Sequence, residues 1–246
     1  MPDGSPVTSD PSAPDRFSLP ARLCLLAWDP DPAAEGTARP QHLVRAGALT
    51  ELAQRGLLVD DDGIATPVDL DAATGDAVLD GLLELVRESR PRPWGTWVSL
   101  RAGYTLTAVR DQLAAEGCLR ARRRRRLGVL PVTGHTLERA DVADALRAGA
   151  RQALDGARPA AEVSARDAAV VVLASAAGLR TVLSGGGDGG HGHHRRAAGE
   201  LDERLEELTE RSAAADPALR TVVREIRTAL RRTSPCPEPA DRGDLT

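Results

Sequence analysis

The chain has 246 residues, 41% of them hydrophobic, and a net charge of −4. That fits one sizeable core with tails, and the longest apolar stretch, residues 168–179, is too short to span a bilayer. Aromatics are only 2% of the chain, so the core has to be built from Leu, Val and Ala, and the richness in Ala, Leu, Arg and Glu favours helices. All 32 basic residues are arginine, and the abundance of Ala, Gly, Asp and Arg has the look of a GC-rich bacterial genome. Cys24, Cys118 and Cys236 are too scattered for a disulfide framework, which suits a reducing cytoplasm.

Residues 1–18 are rich in Pro, Ser and Asp, lack the apolar segment of a secretion signal and should form a disordered tail. Residues 19–28 open the fold, with Cys24 in an apolar run where it reads as a small buried hydrophobe. After a loop over 29–40, a helix is predicted for 41–55, with Leu43, Ala46, Leu49, Leu52 and Ala53 on its inner face and Gly56 as its stop. Two short strands around Asp62-Gly63 make a hairpin. Thr74 or Asp76 caps the next helix, whose stripe is Val78, Leu79, Leu82, Leu83 and Val86. Pro91 and Pro93 break it, Trp94 and Trp97 open a short helix, and a further helix covers 105–116 and stops at Gly117. A second hairpin over 118–132 follows. Residues 51–58 and 112–119 resemble each other, each a helix end, a glycine and a strand, so two helix-plus-wing units are expected. Helices are predicted for 137–156, 163–183, 197–212 and 217–232, and a Pro-rich tail for 233–246.

The second hairpin carries the most informative segment, Arg122 to Arg126 followed by Leu127-Gly128-Val129-Leu130. Alternation in a strand puts charge on both faces, so no core can take this run. It stands in water or lies against something negative, and the adjoining apolar residues suit a lipid headgroup layer. A solvated hairpin with no partner, or one touching an acidic protein, fits the same pattern. Nucleic acid is the remaining polyanion, but the preceding helix offers Arg110 beside Asp111 and Glu116, which makes a poor reading surface. The glycine-rich stretch 185–194 has three histidines without a rigid frame and reads as a linker rather than a metal site. No nucleophile constellation, phosphate loop or cofactor motif is visible, so no enzyme activity, cofactor or metal is expected.

The order of segments resembles the Golgi phosphoprotein 3 family, which has many bacterial members. Four stretches carry the resemblance: Leu43-Val44-Arg45 onward to Leu58; Ala73-Thr74-Gly75-Asp76-Ala77-Val78-Leu79-Asp80 with Arg90-Pro91 and Trp97; residues 113–119 joined to the basic hairpin; and Arg166-Asp167 through Leu179. The resemblance implies a mainly α fold, one helical domain with short β-hairpins over 19–232. It implies a cytoplasmic peripheral membrane protein that binds phosphatidylinositol 4-phosphate-type headgroups in a shallow basic pocket, with a hairpin on the bilayer. In eukaryotic members the cytosolic tails of membrane proteins are further partners.

Carried onto this chain, Arg45 matches the headgroup arginine, and Trp28 is the nearest aromatic, because Gly36-Thr37 stands where the family has one. Gly103 and Leu106 occupy the places of two further arginines, and Arg110 returns to the same helix face to supply a charge. The membrane hairpin comprises Arg120, Arg122, Arg123, Arg124, Arg125, Arg126, Leu127, Val129 and Leu130. The expected partner is therefore an anionic phospholipid membrane.

Overall fold

A computed structural model describes residues 16–28, 39–126, 130–179, 194–214 and 216–233. Most of both expected tails, nearly all of the 29–40 loop, Leu127 to Val129 and the glycine-rich linker (its last residue, His194, excepted) lie outside them. The described residues form nine α-helices and two antiparallel hairpins, a mainly α fold.

Three helices form the centre: α1 (Leu19–Leu26), α2 (Pro40–Gln54) and α7 (Ala165–Ala176). All of α1 is buried, as are 42–53 of α2 and 168–176 of α7. A helix enclosed all round has no solvent face, and here small residues make the enclosure possible. A Cβ on Gly47 would lie 2.6 Å from Leu23 Cδ1 and 3.3 Å from Pro20 Cα, so a larger residue would turn Leu23 aside and push on the α1 backbone where the two helices cross.

Amphipathic helices enclose this centre: α3 (Ala77–Glu88), α4 (Trp94–Ser99), α5 (Ala102–Ala115), α6 (Ala140–Leu154), α8 (His194–Ser212) and α9 (Pro217–Thr233). Stripes at helical spacing face inward, such as Val142, Leu146, Ala150 and Ala153 on α6 and Leu219, Val222, Val223 and Ile226 on α9. The helix α3 begins as its sequence predicts, with the Asp76 carboxylate accepting from the Val78 and Leu79 N–H groups.

The two helix-plus-wing units share one chain reversal. At the end of α2, Gly56 has φ 69°, its N–H donates to Ala53 O, and Leu57 N–H donates to Leu52 O. At the end of α5, Gly117 has φ 74°, its N–H donates to Ala114 O, and Cys118 N–H donates to Leu113 O. Both are Schellman closures, which need a left-handed residue.

The wings then diverge. The first, β1 (Leu58–Asp61) and β2 (Ile64–Pro67), turns at Asp62 and Gly63, both with positive φ, as a two-residue hairpin turn requires. It is tied down: Trp94 Nε1 donates to Asp60 Oδ1 at 2.7 Å, and Ala65 N–H donates to Arg92 O. The second, β3 (Leu119–Arg126) and β4 (Leu130–Leu137), has eight residues in each strand. At about 3.3 Å per residue this arm is roughly 25 Å long.

Several boundaries differ from the sequence expectation. Phe17 and Ser18, assigned to the tail, are buried against the core. The second hairpin continues past 132 to Leu137, because β4 pairs in register along the whole of β3, and α6 starts only at Ala140. The helix α5 starts at Ala102, three residues early, since no capping side chain marks its N-terminus.

Candidate functional site

The basic arm is anchored at its base. Leu119 is buried, Leu137 packs on the core, and Cys118 O accepts from the Glu138 and Arg139 N–H groups. Of the helices, α5 is the main support of β3. Pairing runs from Leu119 opposite Leu137 to Arg126 opposite Leu130. All six arginines of the segment, Arg120 and Arg122 to Arg126, therefore fall on one strand. Arg120 is exposed and paired with Glu138 at 3.0 Å, and Arg122 is exposed. The backbone of Leu130 is the partner of Arg126, whereas Leu127 and Val129 lie outside the described residues.

Two of the proposed headgroup residues meet beneath the arm. The Arg110 guanidinium lies over the Trp28 ring, 5.9 Å from its centroid, within range of a cation–π contact. Trp28 O accepts from Arg147 Nη2 at 2.7 Å. Burial raises the Cys24 thiol to about 11, and the nearby Arg110 charge only partly offsets this, so Cys24 is an inert core thiol. His135, opposite Ala121 in the hairpin, has both ring nitrogens buried without hydrogen-bond partners. Burial and then the Arg110 charge lower its pKa below the ordinary 6.5, against the pull of Asp111.

Arg45 does not join them. It is fully buried, and its Nη2 donates to Arg101 O at 3.0 Å, just before α5. Its Nε and Nη1 have no partner, and burial brings its pKa down to about 10. Arg110 is nine residues further along α5, about 13 Å of helical rise, so it does not stand beside Arg45 as the spacing predicts. The reason is the central position of α2, which leaves none of its middle residues at the surface.

The same burial explains motifs that sequence reasoning left without a role. Glu51 Oε2 accepts from Leu19 N–H at 2.6 Å, and Oε1 receives Arg55 at 2.6 Å and Arg166 at 3.3 Å. Arg22 pairs with Asp167 at 3.0 Å. These residues bind α1, α2 and α7 together and make two of the family-like stretches structural. A Glu in mid-helix with an Arg four residues on was the available signal, but it reads equally well as a surface pair.

This architecture defines a mainly helical protein with one short hairpin tied to the helices and one long basic arm anchored at its base, and no described helix is long and apolar enough to cross a membrane. The family model for Golgi phosphoprotein 3 (GPP34) matches residues 19–226, and the chain belongs to that family. A comparison with curated proteins found no match.

Proposed function

We propose that this protein is a non-enzymatic peripheral membrane protein that docks on anionic phospholipid from the cytoplasmic side. The observation that carries the reading is the arm: a paired strand with six arginines, continued beyond its anchored base. The family supports headgroups of the phosphatidylinositol 4-phosphate type and, as further partners, cytosolic tails of membrane proteins. Arg45, reaching the start of α5 from inside, contributes its charge from behind the surface rather than as an open ligand.

An arginine held near an anionic bilayer contributes about 1 kcal/mol, so five or six give roughly 5–6 kcal/mol as an upper figure. That corresponds to a dissociation constant on the order of 0.1 mM, which is reversible docking. Arg120, already paired with Glu138, adds least. The helix before the arm speaks against a nucleic-acid reader: its exposed residues Gly103, Tyr104, Thr107, Ala108, Asp111 and Ala115 include no cation.

Flotation with anionic vesicles, run beside a DNA gel shift, tests this. The full chain should float with anionic vesicles at low salt and not with neutral ones. Arg122→Glu with Arg124→Glu should abolish flotation and leave the melting temperature within about 2 °C, as surface substitutions do. A DNA shift without flotation would overturn the membrane reading.

A further inference from the structure

Arg120 is paired with Glu138 at the base of the arm, whereas Arg122 is exposed without an ion-pair partner among the described residues. The facing strand β4, Leu-Pro-Val-Thr-Gly-His-Thr-Leu, contains no carboxylate. Clustered like charges repel one another, so an acidic segment close to β3 would be held there. Residues 1–15 contain Asp3, Asp10 and Asp15 and no arginine. The place where they join the fold is fixed, because Phe17 and Ser18 are buried. Arg16 is exposed, its guanidinium 4.8 Å from the centroid of the Phe17 ring. It stands beside Cys118, the residue before β3: burial and the Glu116 charge raise the Cys118 thiol, and the Arg16 charge opposes them. Residues 1–15 therefore start from the base of the arm. A segment of that length reaches at most about 50 Å, against roughly 25 Å for the arm. Pro2, Pro6, Pro11 and Pro14 cannot donate to a strand ladder, so a contact along β3 is made by charge rather than by strand pairing.

We propose that residues 1–15 are an intramolecular partner of the basic arm: Asp3, Asp10 and Asp15 lie against the arginines of β3 and compete with anionic phospholipid for them. The contact itself stands on charge and on the position of Arg16, and its effect on docking rests on the membrane reading above. Exposed ion pairs are individually weak and screened by salt, but a short tether supplies an effective concentration in the millimolar range. A contact of millimolar intrinsic affinity is then occupied about half the time. The apparent affinity of the arm for lipid falls in proportion to the fraction left free. Weakly anionic surfaces lose this competition, and strongly anionic ones win it.

The test uses the full chain with Ser9→Cys and Cys236→Ser, which takes a nitroxide label at residue 9 while Cys24 and Cys118 stay buried. At low salt the label should broaden the amide signals of β3, and more strongly than in the same chain carrying Asp3→Asn, Asp10→Asn and Asp15→Asn. Phosphatidylcholine vesicles with about 30 mol% phosphatidylserine should relieve the broadening, and neutral vesicles should not. Without the label, the triple asparagine variant should bind the anionic vesicles about twofold to fourfold more tightly than the wild type. Equal broadening with and without the aspartates would overturn the proposal; tighter vesicle binding by the variant would then reflect only repulsion of the segment by the bilayer. Broadening of an isotope-labelled chain by a nitroxide on a separate chain would assign the contact to a second copy and overturn it as well. Aspartate-dependent broadening in a chain that floats with no vesicle would keep the contact and sink the membrane reading.

Discussion

Glu51 shows how much one residue can hold in this protein. Its carboxylate is buried and bonds a backbone N–H of α1, an arginine of its own helix and an arginine of α7. Removing it strands the buried Leu19 N–H, whereas Arg55 and Arg166, each more than a third exposed, turn to water, so the loss is about 1–3 kcal/mol. Glu51→Ala should therefore lower the unfolding free energy by about that amount, measured by urea denaturation. His135 makes a pH-dependent claim. Its folded pKa lies below 6.5, so the folded state disfavours the proton that the unfolded chain takes up. Its contribution is full above about pH 6.5 and falls as pH drops from there toward the folded pKa. Protection factors of the amides at the base of the arm, that is exchange relative to the intrinsic rate at each pH, should fall between pH 7.5 and 5.5, and His135→Leu should flatten that dependence. An unchanged slope in the variant would assign the effect to another group.

At the scale of elements, one reversal is used twice with different outcomes. After α2 the chain enters a short hairpin held by Trp94 and Arg92, and after α5 it enters one twice as long. Both reversals depend on a glycine with φ near 70°, where a Cβ meets nothing nearby. The cost of substitution is thus conformational rather than a clash, about 1–2 kcal/mol for a left-handed L-residue. Gly117→Ala should lower stability by that amount, read from chemical denaturation. The glycine stops and the Asp-Gly turn were legible in the sequence because their reasons are local: only certain residues adopt positive φ. The extent of the second hairpin was not. Gly134 and His135, past the expected end at 132, do not read as strand residues, and only the register against β3 makes them part of one.

At the scale of the molecule, charge is clumped on an arm while the net charge stays at −4. Docking should therefore respond to salt much as a cationic peptide does. Screening contracts from about 10 Å at 0.1 M salt to about 3 Å at 1 M, so flotation with anionic vesicles should fall at least about tenfold over that range while the fold is unaffected; salt-independent flotation would indicate apolar insertion instead. The sequence by itself determined the helical class, the repeated helix, glycine and wing, the caps, and the location of a segment that no core can hold. These follow from periodicity, backbone conformation and the desolvation of charge, all local properties. Only the tertiary structure decided which helices lie at the centre. The residues 41–55 read as an amphipathic surface helix, yet neighbours surround α2 on every side, and Arg45 and Glu51 go inside with it. Burial is a property of what packs against a helix, so the same arginine that resembles an open ligand in the sequence is an internal cation in the fold. Trp28 and Arg110, 82 positions apart, likewise meet only because α1 and α5 pack together.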